Sequence, residues 1–445
     1  MMTDPGRWEE RIEQAFTEYR LGLVSRRLGG WRSGDIGPLV AYRSLTTRER
    51  FEQMAGYPKE VPNADSMLRW QAYLTIERVT WEERAAVEVL RRSFDHRVDG
   101  LGEVAWSLRS LVLEMLASRD LGRRANVARG LEQASAEASE SALKWAIRRH
   151  GAAYHLGTEG LEWLEVPLRD MGVRQVAERV MAGTDDAMAA GIKAESWQEV
   201  VRVAAAMDAR SGWPAALTPR WFRWMFGGWK SLQGIHLELG PLCDPICGAS
   251  FARALARFGG AIHRGWAMRS QGPFSMVHRP FDAAAASYGA LLASLLTSVP
   301  FLKRRMGLGR DAARIQARSL GLSLLISVRM NAAQAIVATM TSPQAMVEAH
   351  VTEVSKAMHA SIPETLAGVV PRYEPRAASR LCGALHAMTR LRELVERFDD
   401  DWFDNPQAHE FLSEIDISER LVLDEHDVRQ GVENMSGWLS EWLLG

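Results

Sequence analysis

Residues Trp8 to Leu23 read WEERIEQAFTEYRLGL. Trp8, Ile12, Phe16, Tyr19 and Leu23 recur at steps of four, four, three and four, so they share one face of a helix. Gly29-Gly30 ends that helix. The same spacing runs through Thr47–Met54, Ser66–Phe94, Val104–Ala117, Arg124–Arg149, Trp197–Met207, Ala313–Met340 and Arg376–Phe398. Breakers separate these runs at Pro58 to Pro62, Gly100 to Gly102, Gly212 to Pro214, Pro300, and Pro371 to Pro375. Alternating strands are scarce. Ile235 to Leu239 (Ile-His-Leu-Glu-Leu) is the best candidate for one, because apolar and polar residues alternate there. No repeat of solenoid period is present. The pattern predicts a mainly α-helical fold with a minor β element near the middle.

Composition narrows the class. The chain has 445 residues, 54 Lys and Arg against 55 Asp and Glu, and 47% hydrophobic residues. That length supports two or three domains' worth of core, or one large helical domain. A net charge of −1 argues against a general nucleic-acid binder, which needs cations in excess to neutralise phosphates. High apolar content with low net charge argues against disorder. Three cysteines make no disulfide framework, so a reducing cytoplasm is the expected compartment. Met1 to Trp8 lacks the apolar core of a signal peptide. The best candidate for a membrane span, Ala283 to Leu302, contains three serines, a threonine, Tyr288, Gly289 and Pro300, and reads better as a buried helix. The expectation is a protein that binds neither membrane nor nucleic acid.

The stretch Gly240 to Trp266 reads GPLCDPICGASFARALARFGGAIHRGW. It resembles the zinc peptidases of the oligoendopeptidase F and thimet oligopeptidase group. Those have a segment like G-A-F-C-x-P-I followed by a helix carrying H-E-F-G-H-A-L-H. Phe258, Gly259, Ala261 and His263 match that pattern, and Ile262 is similar. The chemically decisive positions differ. The two ligand histidines fall on Ala256 and Gly260, and the general-base glutamate falls on Arg257. The group places its third ligand, a glutamate, on a second helix about 25 residues later. Here Arg279-Pro280-Phe281-Asp282 leads into AAAASYGALLASLL, and that glutamate falls near Ser287, within one or two positions. Residues Ala283 to Leu302 contain no glutamate. Arg390 to Leu412, RLRELVERFDDDWFDNPQAHEFL, is also similar to the end of these peptidases. The resemblance covers about Gly240 to Leu412. It implies a two-lobed helical metallopeptidase-like (gluzincin-type) scaffold with a central channel. The helix around Ser250 to Trp266 would pack there on the helix Asp282 to Leu296, brought close by the small residues Ala256, Gly260 and Ser287.

Catalytic zinc needs about three protein ligands and one open position. H-E-x-x-H works because residues i and i+4 share a helix face while the glutamate deprotonates the bound water. Ala256 and Gly260 carry no donor. Arg257 puts a cation where the base belongs, and that charge repels Zn²⁺. The reading is therefore no metal, no cofactor and no catalytic residue of the zinc mechanism. Tyr373 lies near the position where the group carries an oxyanion donor. Arg257 needs an acidic partner or water, with Glu238 as one candidate.

Other clusters were weighed beside this one. His236, Glu238, His263 and His278 would form a rebuilt metal site if the fold gathered them, and otherwise are separate polar residues. Cys243 and Cys247, four apart, fit neither a thioredoxin motif nor a four-ligand zinc pattern. Trp213 to Lys230 interleaves tryptophans with Arg220, Arg223 and Lys230, which reads as core or cleft wall with snorkelling cations. Asp399 to Asp401 reads as a solvated run ending a helix.

The division expected is an N-terminal helical region, 1–212, and a degenerate peptidase-like region with C-terminal helices, 213–445, or one continuous unit. The function expected is a zinc-free pseudopeptidase that binds a peptide or other extended ligand, or a partner, in the former channel. The ligand-binding candidates are Arg257, His263, His278, His236, Glu238 and Tyr373. The alternatives are a non-metal enzyme with a repurposed cavity and a purely structural helical protein. The sequence names no protein partner.

Overall fold

The computed structural model describes residues 4–443 apart from 33, 35, 58–60, 62, 99–100, 159, 195, 215, 241–245, 415 and 417–419. Helices dominate it. Those that build the site are α1 (Pro5–Gly29), α2 (Ala64–Val79), α3 (Trp81–Leu90), α4 (Leu121–Ala134), α5 (Ala136–His155), α6 (Gly248–Arg269), α7 (Ala283–Ser294), α8 (Arg310–Val337) and α9 (Ala377–Phe398). Among the described residues the β content is three isolated bridges, His96–Trp106, Leu168–Leu423 and Val369–Arg372.

The periodic runs become helices, with two corrections. Ser66–Phe94 is broken at Thr80, and Arg124–Arg149 at Ser135. Both breaks carry a hydroxyl bonded back to the i−4 carbonyl, a bond that Thr75 and Thr184 also make inside unbroken helices. The Thr80 hydroxyl donates to the Ile76 carbonyl at 2.8 Å, and the Ser135 hydroxyl to the Leu131 carbonyl at 2.5 Å. Ile235 to Leu239 is the third correction. It forms no ladder among the described residues, and its Leu239 N–H donates to the Leu237 carbonyl, a three-residue turn.

Among the described residues two large hydrophobic cores form, with three smaller clusters beside them. The smaller holds Trp8, Ile12 and Tyr19 of α1 with Trp70 and Tyr73 of α2 and, from far along the chain, Phe281. The larger runs from Val98 to Leu439 and includes Phe251, Phe258, Leu291 and Leu385. Helix α6 feeds the larger core through Phe251, Leu255, Phe258, Ile262 and Trp266, all buried at steps of four, three, four and four. Phe258 stacks on Phe222 at 4.6 Å and meets Phe226 at 4.9 Å. The Trp213–Lys230 stretch is thus largely core wall, with Trp224 exposed.

Helix α7 begins at Asp282, whose carboxylate accepts from the Ala285 N–H at 2.9 Å. It ends in a 3₁₀ turn, Leu295–Thr297, and Pro300 starts the next helix, Val299–Arg304. The apolar run from Ala283 is therefore two helices packed in the core. Helix α8 is long and apolar enough to cross a membrane by length and composition, and 61% of its most apolar window is buried inside the fold. Asp399, at φ 65°, ends α9, and Asp401 pairs with Arg304 at 2.5 Å.

Candidate functional site

A cavity of about 520 Å³ lies between the two cores. From the smaller core, α1 gives it Phe16, Tyr19, Arg20 and Leu23, and α2 gives Trp70, Tyr73 and Glu77. From the larger core, α6 gives Ala256, Arg257, Gly260 and Arg264, and α7 gives Ala285 and Ala286. The segments His278 to Asp282 and Arg372 to Arg376 also line it. The opening face of α1 is split by this arrangement. Trp8, Ile12 and Tyr19 are buried, while Phe16 and Leu23 are part-buried and line the cavity.

The peptidase-like positions meet here. Ala256, Arg257 and Gly260 line the cavity from one face of α6. Ser287 does not. It is buried and bonds to His386 of α9 at 2.9 Å, so the cavity-facing residues of α7 are its neighbours Ala285 and Ala286. The helices α6 and α7 cross closely. A Cβ on Gly260 would stand 3.2 Å from the Ala285 carbonyl oxygen, and one on Gly289 would stand 2.7 Å from that of Ala256.

The other candidates separate. His278 lines the cavity, stacked on Phe274 at 4.7 Å. Burial, reinforced by Arg264 and Arg20 against the pull of Glu238, lowers its pKa to about 4, so it is neutral at pH 7. Glu238 also faces the cavity, held by Arg20 of α1 at 2.5 Å. Burial pushes its carboxyl up, but Arg20, His278 and Arg264 together bring it below the usual range. The carboxylate proposed for Arg257 is thus engaged by Arg20. His236 is exposed and lies outside the cavity lining, because the chain turns at Leu237 to Leu239 instead of running as a strand. His263 is also outside the lining. It is buried against Tyr288 at 5.0 Å, with Nδ1 unbonded and 3.9 Å from Asp282. Burial, only partly offset by Asp282, lowers its pKa. Tyr373 borders the cavity, yet its hydroxyl is sealed beside Arg149 without a well-aligned bond. Cys243 lies outside the described residues, and Cys247 is a buried free thiol. Among the described residues no three His, Cys, Asp or Glu side chains converge as metal ligands.

Behind Tyr373 sits a buried charge network. Arg149 bonds to Glu77 at 2.5 Å and also to Glu165. Arg84 bonds to Glu77 at 2.6 Å, and the Tyr19 hydroxyl donates to Glu77 as well. The network ties α1, α2, α3 and α5 together at the back of the cavity.

The cavity's residues missed in the sequence are mostly arginines. Nine arginines and four carboxylates line it, in a chain whose net charge is −1, and one of those arginines, Arg372, bonds to Glu88 outside the lining. A deep cationic cavity with aromatic walls can hold and orient an anionic ligand.

No family model and no curated protein matches the chain. Among solved structures, the fold is similar to a crystal structure from Chlamydophila abortus described as a "putative peptidase". The TM-score is 0.51, over 90% of this chain and 81% of that one, at 10% identity. The chain thus has a mainly α, peptidase-like fold.

Proposed function

We propose that this chain is a degenerate relative of the oligoendopeptidase F and thimet oligopeptidase group, one that binds a peptide or other extended ligand without cutting it by zinc chemistry. One observation carries this reading. Ala256, Arg257 and Gly260, on the positions of H-E-x-x-H, line the large cavity and offer it no metal donor and no general base. Ala285 and Ala286 supply no third ligand from the facing helix. The peptidase-like fold supports the reading, and a 520 Å³ cavity is of the size that encloses a short ligand segment. A non-metal enzyme that uses Arg257, His263, His278 and Tyr373 is less well supported, because His263 lies outside the cavity lining and the Tyr373 hydroxyl is sealed from it. The working compartment on this reading is a reducing cytoplasm, away from membranes and nucleic acid.

The test is binding of labelled peptide mixtures to the full chain and to Ala256→Phe. Ala256 is half-buried and borders the cavity, so the ring fills space without displacing core. The expected result is retention by the native chain and loss in the variant. Equal retention by both would overturn the reading.

A further inference from the structure

The cavity's charge is more specific than its shape. Among its four carboxylates, Glu77 is held by Arg84 and Arg149, Glu238 by Arg20, and Glu374 by Arg380 at 3.2 Å. The fourth, Asp282, caps α7. Among the described residues, Arg264 and Arg376 have no carboxylate within ion-pair distance, and the Arg264 guanidinium has no hydrogen-bond acceptor. Arg264 is enclosed by protein except where it lines the cavity. Burial depresses its pKa, Asp282 and Glu238 only partly offset this, and Arg20 and Arg376 depress it further. Arg20, paired with Glu238, and Arg376, bonded to Tyr73, bring their charges to the same confined space as the unpaired Arg264. Such a group is stabilised by an anion that enters between them.

We infer that the ligand of this cavity is an acidic peptide, with a carboxylate held by Arg264 and Arg376 and its backbone lying along the aromatic wall of Phe16, Trp70 and Tyr73. This rests on the reading of the cavity as a peptide-binding site. Guanidinium forks match carboxylates in a bidentate way. On the reading of the cavity as a peptide site, that carboxylate belongs to a peptide and not to a single small anion.

The experiment measures fluorescence anisotropy of short labelled oligoglutamate, glycine–serine and oligolysine peptides of equal length with the full-length protein. Inorganic phosphate serves as a competitor. The inference predicts oligoglutamate binding about 10-fold or more tighter than glycine–serine, and weakening as salt rises. Arg264→Met and Arg376→Gln should each weaken it about 10-fold, with Arg264→Lys in between, since an ammonium keeps the charge and loses the fork. A circular-dichroism melt confirms that each variant is folded, and the second variant serves if the first is not. Equal binding of oligoglutamate and glycine–serine, both lost in Ala256→Phe, would overturn the acidic preference and leave the peptide reading standing. Binding of no peptide would overturn both. Oligoglutamate binding unchanged in Arg264→Met and Ala256→Phe would place it on the outer surface and overturn the inference. Displacement by phosphate at concentrations as low as by unlabelled oligoglutamate would overturn it in favour of a small anion.

Discussion

Gly259 and Gly289 face each other where α6 crosses α7. A Cβ on Gly259 would stand 2.9 Å from the Gly289 Cα and closer still to the Tyr288 carbonyl. The two backbones touch, which leaves no room for a side chain between them. This contact fixes the wall that carries Ala256 and Gly260 along the cavity.

Gly259→Ala is therefore expected to cost about 1–3 kcal/mol or more, because neither helix can yield without moving its buried face. Gly321 is the control. It lies inside α8, and an added Cβ would meet nothing within 4 Å. Gly321→Ala should stabilise by about 0.4–1 kcal/mol through the unfolded state. Urea unfolding of both variants checks the pair of signs.

Arg149 is completely buried and bonds to two buried carboxyl groups, Glu77 and Glu165. Arg149→Met should cost about 3–5 kcal/mol, because both carboxylates lose their central partner. Glu165→Gln should cost clearly less, since Glu77 still holds the guanidinium. Equal losses in chemical denaturation would mean that the network is not organised around Arg149.

Stability should fall with acid through buried imidazoles. Burial holds His350, His386 and His409 at about 4, below the ordinary imidazole range near 6.5. Between those values the unfolded chain binds protons that the native chain refuses. Stability therefore rises with pH in this window, is fully present above about 6.5, and is lost as pH falls toward 4. Glu165, raised to about 7 by burial against the pull of Arg149, acts in the opposite sense, and three histidines outweigh it. Melting temperatures across this range should drop toward acid, and His350→Leu should flatten the slope. An unchanged slope in that variant would remove His350 from the account.

Much of the helical framework was legible because apolar side chains repeat with the helical period. The breaks at Thr80 and Ser135 were not, since the apolar pattern runs on through them. Ile235 to Leu239 alternates like a strand but has no neighbouring strand among the described residues, and alternation alone cannot create one. At the site, Ala256, Arg257 and Gly260 were legible because they lie within one turn of one helix. His263 follows Ala256 by seven residues, close to the same helix face, yet at that level α7 covers the helix and Tyr288 meets the ring. Arg264 was the missed residue, and the available signal was its four-residue step from Gly260. Arg20 and Arg376 gave no such signal, because only the closure of two cores brings α1 and the Arg372–Arg376 segment to the same cavity.

The central claim is that this peptidase-like cavity holds peptide and does not hydrolyse it by zinc chemistry. The most direct measurement is mass-spectrometric analysis of a peptide library incubated with the zinc-supplemented full chain, with and without chelator. The account predicts intact peptides in both. Cleavage that chelator abolishes and added zinc restores would contradict it.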